Sequence, residues 1–290
     1  MEIESISDGP RIVLTACMHG DETGGTVVIQ ELFKSLKGQM LCGKIFAFPM
    51  LNPFGFENTS RRISISNEDL NRSFPGNPEG SLAQRIAAIV MDKIMELKPD
   101  IVLDLHNDWN KSIPYTVIDA FSEQKWLDKL QSFAKVLGLP AIQESEQITS
   151  SFSYNLNLQN IPALTLELGE SLIINEKNVA YGTDAIKNLL ENLGMIHGES
   201  SQNQFTMHES IQNKILIYSS RPISSSSGII RFFKKPGEIV KKGEKLAKIY
   251  NVFGKLNETI VSLHGGIILG HNDYAVAYPG SPIMAFGVYH

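Results

Sequence analysis

The chain has few cysteines and no excess of positive charge. Its 290 residues include two cysteines, Cys17 and Cys42, and both occur in apolar stretches of the kind that form strands. Buried thiols in a reducing compartment are therefore favoured over a disulfide. The formal net charge is −5, so the charge balance gives no indication of a nucleic acid or an anionic membrane as partner.

Long hydrophobic runs and a leader pattern are also missing. No segment approaches the roughly 18 apolar residues of a membrane span, and residues 1–14 have neither the basic nor the apolar region of a signal peptide. We therefore expect a cytoplasmic protein without a membrane partner. The 42% of hydrophobic residues supply a core for one large domain, or for a domain of about 200 residues and a smaller one.

Apolar runs alternate with helix-like runs through the first two-thirds of the chain. Strands are expected at 11–18, 43–53, 100–106, 115–119 and 162–169, and helices at 24–37, 81–97, 122–138 and 179–194. Ser81 and Ser122 are the candidates for the N-caps of two of these helices. The alternation predicts an α/β fold with a mostly parallel or mixed twisted sheet between helices, and ligands bind such sheets beyond the carboxyl ends of the strands.

The pattern changes to a β-rich one near the end of the chain. A polar segment at 197–210 is expected to be a linker. Short apolar segments between glycine turns follow, and residues 228–249 resemble residues 266–286, which indicates two interlocked β-units. We therefore predict a catalytic domain at 1–200 and an all-β, barrel-sandwich-like domain at 208–290.

The turn between the two similar β-units contains a lysine. The β-units resemble the biotinyl/lipoyl-type barrel-sandwich, in which a lysine between two methionines carries the cofactor. Here the turn reads NVFGKLN, so Lys255 lacks the flanking methionines. We interpret the module as structural, with a carrier role for Lys255 as the alternative.

Polar residues at the ends of two predicted strands suggest a metal site. His19 and Glu22 follow the first strand in the motif HGDE, and His106 ends another in the motif DLH. Two histidines and one carboxylate suit zinc and leave a position for water, so we predict one Zn²⁺ per chain. Each histidine alone could instead be a hydrogen-bonded residue at a strand end. Asp104 is expected either to orient a ligand from behind or to cap backbone amides.

A carboxylate at the end of a third strand is the candidate general base. Glu167 ends an apolar run, where burial of its charge would be costly without a partner or a task. It would take a proton from water and pass it to a leaving amine. A salt bridge at the strand end is the alternative role, and Glu170 in the following loop is the lesser candidate for the base.

An arginine-rich loop separates the predicted metal ligands along the chain. The segment at 60–76 reads SRRISISNEDLNRSFPG. Arginine is a rigid two-pronged donor for a carboxylate, and we favour Arg72, beside Asn71, as the anchor of a substrate. An arginine near the metal would also stabilise an oxyanion, and we assign this catalytic role to Arg72 as well. A basic surface loop is the alternative.

These motifs, in this order, resemble the succinylglutamate desuccinylase/aspartoacylase family of the zinc carboxypeptidase clan. The matching segments are HGDE at 19–22, NP at 52–53, DLNRSFPG at 69–76, DLH at 104–106 and LELG at 166–169. The resemblance implies a zinc carboxypeptidase-like fold with zinc on His19, Glu22 and His106. It also implies that Glu167 is the general base.

The resemblance further implies that Asn71 and Arg72 contact a substrate carboxylate. Arg61 or Arg62 would add a basic contact, and the doubled arginine leaves open which of them enters the site. Some relatives place a tyrosine of the second domain in the site, for which Tyr274 and Tyr278 are candidates.

The implied reaction is hydrolysis of the amide bond of a small N-acyl amino acid or a related N-acyl amine. Asp108, next to the predicted ligands, could receive a substrate ammonium group or cap its loop. The alternatives are a metallocarboxypeptidase, in which Arg72 holds the terminal carboxylate of a peptide, and a binding protein without turnover. The edges of the β-rich part would also allow a homo-oligomer.

Overall fold

Helices and strands alternate through most of the chain in the computed structural model, which describes residues 1–121, 123–198, 203–272 and 275–289. The helices are α1 (Gly24–Ser35), α2 (Pro53–Glu57), α3 (Leu82–Leu97), α4 (Gln124–Val136), α5 (Phe152–Leu158) and α6 (Glu176–Asn192), and a 3-10 turn covers Leu70–Arg72. The strands are β1 (Glu2–Glu4), β2 (Arg11–Ala16), β3 (Lys44–Phe48), β4 (Ile101–His106), β5 (Lys111–Ser112), β6 (Pro114–Ile118), β7 (Ala141–Gln143), β8 (Ala163–Leu168), β9 (Ile215–Ser219), β10 (Gly228–Phe232), β11 (Ile239–Val240), β12 (Lys245–Tyr250), β13 (Leu256–Val261), β14 (Gly266–His271), β15 (Val276–Ala277) and β16 (Met284–Val288).

One large mixed sheet runs through the described part of the chain. Its order is β1-β3-β2-β4-β8-β6-β7-β9-β16-β14-β11, with β5 paired to β14. The central strands β3, β2, β4 and β8 are parallel, whereas β6 runs antiparallel to β8. The predicted α/β class with a mostly parallel or mixed sheet is confirmed.

The two faces of the central strands are covered differently. Ile12 and Leu14 of β2 pack in a core with α1, α4 and α6, whereas Val13 packs in a second core with α3 and α5. On this second face, each of the strands β2, β4 and β8 has an apolar side chain near its beginning and polar side chains toward its end. In chain order these residues are Val13 and Thr15 on β2, Val102, Asp104 and His106 on β4, and Ala163, Thr165 and Glu167 on β8. Side chains two positions apart share a face, so these polar groups gather at the carboxyl edge of the sheet.

The helix boundaries follow local capping chemistry. Helix α3 begins after Ser81 in a capping box with Gln84, as the predicted N-cap requires. The N-cap of α4 is Glu123, and Ser122 lies outside the described residues. The strand expected at 43–53 is shorter, because the Asn52 side chain accepts from the Gly55 amide at 2.8 Å and starts α2 at Pro53. No helix in the described ranges is long and apolar enough to cross a bilayer.

The β-rich part of the chain extends the large sheet. Strand β9 lies parallel to β7, and β16, β14 and β11 continue the sheet beyond it. A second sheet has the order β13-β12-β10-β15. The division into domains at 1–200 and 208–290 stays a prediction, and one sheet joins the two parts.

The internal repeat corresponds to a reciprocal exchange of strands. In one sheet β10 pairs with β12 of its own repeat and with β15 of the other, whereas β14 pairs with β16 of its own repeat and with β11 of the other. The two β-units are interlocked, as the repeat predicts. Lys255 lies in the exposed turn between β12 and β13, where its amide donates to the Asn251 side chain at 3.0 Å.

Candidate active site

Three buried side chains converge at the carboxyl edge of β2 and β4. His19 follows β2 and His106 ends β4, and these strands are parallel neighbours, so their carboxyl ends lie side by side. Glu22 lies between the two rings, with Oε1 2.7 Å from Nδ1 of His19 and Oε2 2.7 Å from Nδ1 of His106. The potential ligand atoms of the three residues lie within 4.8 Å of one another. The triad could therefore hold one metal ion.

A carboxylate behind each histidine sets the orientation of its ring. Nε2 of His19 lies 3.1 Å from Asp69 Oδ1, and Nε2 of His106 lies 2.8 Å from Asp104 Oδ2. Thr15 fixes Asp104 in turn by donating to its Oδ1 at 2.6 Å. Asp69 and Asp104 are thus placed to accept from Nε2 of the two rings, and with those protons held on Nε2 each Nδ1 would offer its lone pair to an ion bound beside Glu22. This is the arrangement that metal-binding histidines need.

The charges of the triad are tightly linked. Burial acts to raise the pKa of Glu22, but His19 and His106 outweigh it and hold this pKa well below its ordinary value. Burial acts to lower the pKa of His106, but Asp104 and Glu22 outweigh it and hold that pKa well above the ordinary value. The pocket therefore keeps Glu22 as a carboxylate and concentrates negative charge around the two rings.

Glu167 lies beside the triad with an unused acceptor. On β8 it is the register partner of His106 on one side and of Tyr115 on the other. Its Oε2 is buried and has no hydrogen-bond partner among the described residues. Burial, and then the charge of Asp108, raises the pKa of Glu167 well above its ordinary value, and His106 opposes them. A carboxyl group in this setting suits proton transfer.

The neighbouring residues Arg61 and Arg62 make different contacts in the structure. Arg61 reaches the triad: its Nη1 donates to Glu22 Oε1 at 3.3 Å, and its Nε donates to Asp69 Oδ2 at 3.1 Å. Arg62 is exposed and donates to the Asn67 carbonyl at 2.8 Å, outside the cavity. The structure thus brings Arg61, and not Arg62, to the site.

Asn71 and Arg72 reach the cavity from the 3-10 turn. Asp69 caps this turn by accepting from the Asn71 amide at 2.9 Å. The Asn71 side-chain oxygen accepts from the Phe152 amide at 2.9 Å, which ties the turn to α5. Arg72 Nη1 donates to the Asn71 carbonyl at 2.7 Å. Both predicted substrate contacts therefore lie where a ligand could touch them.

The triad, Glu167, Arg61, Asn71 and Arg72 open onto one cavity of about 280 Å³. Its lining consists of His19, Glu22, Arg61, Asn71, Arg72, His106, Asn107, Asp108, Tyr115, Val117, Glu144, Ile148, Ser151, Ser153, Thr165, Glu167 and Tyr218. Polar and charged side chains predominate in this lining. A cavity of this size and polarity suits a small charged molecule.

Sequence reasoning did not single out Glu144, Tyr115 or Tyr218, which are part of this lining. Tyr218 is on β9, so the β-rich part does supply a tyrosine, but at a different position from the two expected. Tyr278 is exposed and does not line the cavity, and Tyr274 lies outside the described residues. The apolar stretch ILIYS indicates a strand that contains Tyr218. No local sequence pattern shows that this strand pairs with β7, and this pairing brings Tyr218 to the cavity.

Two further carboxyl groups of the cavity have a raised pKa. The Tyr115 hydroxyl donates to Asp108 Oδ2, and burial raises the pKa of Asp108 to about 6. Burial, and then the charges of Asp119 and Asp108, raises the pKa of Glu144 to about 7.

Comparison with known proteins places this geometry in a family. The model of the succinylglutamate desuccinylase/aspartoacylase catalytic domain matches residues 8–193. The N-alpha-acetyl-L-2,4-diaminobutyric acid deacetylase of Halomonas elongata is 26% identical over 84% of this chain and 72% of its own length. The succinylglutamate desuccinylase of Shewanella woodyi is 28% identical over 60% of this chain, which spans about half of that relative's length.

Solved structures share the fold at lower identity. The product-bound ectoine utilization protein EutE (DoeB) of Ruegeria pomeroyi superposes with a TM-score of 0.84 and 22% identity over 99% of this chain and 88% of its own. A succinylglutamate desuccinylase/aspartoacylase of Rhodobacter sphaeroides gives 0.81 and 23% over 98% and 87%. Because the family model matches more than half of the chain, the chain belongs to the succinylglutamate desuccinylase/aspartoacylase family.

Proposed function

We propose that this protein is a zinc-dependent amidohydrolase that removes the acyl group from a small N-acyl amino acid or related N-acyl amine. The observation that carries the proposal is the common orientation of His19, Glu22 and His106 beside the unpartnered carboxylate of Glu167. The relatives in Halomonas and Shewanella support it, because both are named as deacylases of amino acid derivatives.

The donor set fits zinc. Two imidazole nitrogens and one carboxylate, all buried, are the ligands of many catalytic zinc sites, and Asp69 and Asp104 are placed to accept from Nε2 of the two rings, which leaves Nδ1 for the ion. His19, Glu22 and His106 would hold the ion. When bound, zinc supplies a Lewis acid and lowers the pKa of water.

Glu167 would move the proton of the reaction. A cation nearby favours the charged form of a carboxyl group whose pKa burial has raised, so Glu167 could accept a proton near neutral pH. It takes one proton from water as the water oxygen bonds to the acyl carbon. The amide C–N bond then breaks, and Glu167 returns the proton to the leaving nitrogen. The products are a carboxylic acid and a free amine.

The two arginines of the cavity would bind different parts of the substrate. Arg61 lies against the metal triad, so we assign it, in place of Arg72, to the carbonyl oxygen that gains negative charge. Arg72 donates to the Asn71 carbonyl and, among the described residues, makes no hydrogen bond or ion pair with the triad, so it would bind the substrate carboxylate together with Asn71.

Hydrolysis assays with defined metal content test the proposal. The protein is stripped with a chelator, reloaded with zinc, and assayed against N-acetyl, N-formyl and N-succinyl amino acids and against dipeptides. We expect turnover of acyl amino acids, loss of turnover without metal, and a fall of several orders of magnitude in Glu167→Gln at unchanged zinc content. Glu57→Gln, an exposed site at the end of α2, is the control. Turnover of dipeptides alone would favour the carboxypeptidase alternative, and ordinary activity of Glu167→Gln would remove its role.

A further inference from the structure

One acid of the cavity, Glu144, has a backbone hydrogen bond but no side-chain partner. Glu144 directly follows β7, and its amide donates to the Ile118 carbonyl at the end of β6 at 2.9 Å. Its half-buried carboxylate lines the same cavity as Glu167 and Arg72. Among the described residues this carboxylate has neither a hydrogen-bond donor nor a salt-bridge partner.

The other charged groups of the cavity outside the triad and Glu167 are already engaged. Arg61 is paired with Asp69 and Glu22, and Asp108 accepts from Tyr115. Arg72 and Glu144 remain as a cation and an anion whose side chains have no opposite charge within salt-bridge distance among the described residues. A ligand that carries both a carboxylate and a cation would match this pair.

The surroundings of Glu144 make a bound cation favourable. Its carboxylate is desolvated and is repelled by Asp119 and Asp108, and Arg72 offsets these effects only in part. A cation next to Glu144 would relieve the repulsion and satisfy a partly buried charge. A second carboxylate on the ligand would increase the repulsion instead.

We propose that Glu144 is a specificity-determining residue that binds an ammonium group on the side chain of the acylated amino acid. The inference rests on the proposed function and narrows its substrate class to N-acyl diamino acids with a short cationic side chain. Arg72 and Asn71 bind the α-carboxylate, Glu144 binds the side-chain ammonium, and the acyl group lies toward His19 and His106. Acyl amino acids with an acidic side chain are selected against.

Substrates of matched size but different charge test the subsite. The zinc-loaded protein is assayed with Nα-acetyl-2,4-diaminobutyrate, with the neutral N-acetylnorvaline, and with N-acetylglutamate. We expect the diamino acid to have the highest kcat/KM. In Glu144→Gln its kcat/KM should fall about 10- to 100-fold, chiefly through KM, while the value for N-acetylnorvaline stays unchanged. Glu146→Gln, two positions away and exposed, is the control and should behave as the wild type.

Equal use of all three acyl amino acids by the wild type, or an equal loss for all three in Glu144→Gln, would overturn the subsite and leave the proposed function intact. If none of them is hydrolysed, the subsite is judged by calorimetry with free 2,4-diaminobutyrate, and the proposed function fails only if the N-formyl and N-succinyl amino acids are not hydrolysed either. Binding that Glu144→Gln loses and Glu146→Gln keeps would support the subsite. No binding, or equal binding by both variants, would refute it.

Discussion

Glu22 and His106 are 84 positions apart in the chain, yet Oε2 of Glu22 lies 2.7 Å from Nδ1 of His106. Two strands bring them together, because β2 delivers the HGDE loop to the edge at which β4 ends. The Asn107 amide also donates to the same Glu22 oxygen at 3.1 Å. The carboxylate is thus fixed between two rings before any ion binds, which reduces the conformational entropy that a ligand must overcome.

Glu22→Gln is expected to abolish stoichiometric zinc binding. The amide removes the negative charge and one acceptor from between the two histidines, and zinc prefers an anionic third ligand here. Zinc content after dialysis against a zinc buffer, measured by plasma mass spectrometry, should fall from one ion per chain to a small fraction. Zinc should also raise the Tm of the wild type but not of the variant. Full occupancy of Glu22→Gln would exclude this centre.

Asp104→Asn is expected to weaken zinc binding by about 10- to 100-fold while the protein stays folded. The Asn side-chain oxygen can still accept from Thr15, but its NH₂ group then faces Nε2 of His106. Two donors cannot share a hydrogen bond, so the proton moves to Nδ1, the atom that faces the metal. Competition with a chromophoric chelator measures the affinity.

The control for the Asp104 variant is Asp92→Asn on the exposed side of α3, which should retain the wild-type affinity. Unchanged zinc affinity in Asp104→Asn would show that the carboxylate does not set the tautomer of His106. Asp104 would then serve only the packing of the strand.

Arg61→Ala and Arg62→Ala form a matched pair of adjacent arginines. Arg61 contacts Glu22 and Asp69, whereas Arg62 donates to a backbone carbonyl away from the cavity. Loss of Arg61 should lower kcat about 10²- to 10³-fold at unchanged zinc content, which is the usual effect of removing an oxyanion donor. Arg62→Ala should keep the wild-type rate. Equal effects of the two substitutions would contradict the separation of their roles.

The buried carboxyl group of Asp119 should make stability depend on pH. Burial raises its pKa to about 6, although the Asn157 side chain donates to it at 3.1 Å. The folded state therefore binds more protons than the unfolded state between about pH 4 and pH 6, and the stability contribution of this group falls as pH rises through that window. Above the window the loss is constant at roughly 2–3 kcal/mol.

Asp119→Asn removes this titration and keeps one acceptor for Asn157. Urea unfolding of both proteins should show the free energy of unfolding of the variant rising relative to the wild type from pH 4.5 to pH 7.5. A difference between the two proteins that does not change with pH would mean that Asp119 has an ordinary pKa in the folded protein.

Much of the fold follows from local patterns. Runs of apolar residues set β2, β4 and β8, and the side-chain alternation on β4 and β8 places Asp104 with His106 and Thr165 with Glu167 on one face. Helix α3 starts where Ser81 and Gln84 form a capping box. Short α5 was missed, because seven residues give too little periodicity to separate a helix from a loop.

The amino-acid sequence by itself determined which side chains end the strands, and so it identified His19, Glu22, His106 and Glu167 as candidates. Only the tertiary structure decided that Asp69 supports His19 and that Arg61 enters the cavity instead of Arg62. It alone also brought Glu144 and Tyr218 to the same space. The physical reason is that strand order and direction depend on long-range pairing. The antiparallel pairing of β6 with β8 and the parallel pairing of β9 with β7 leave no mark in local hydrophobic spacing.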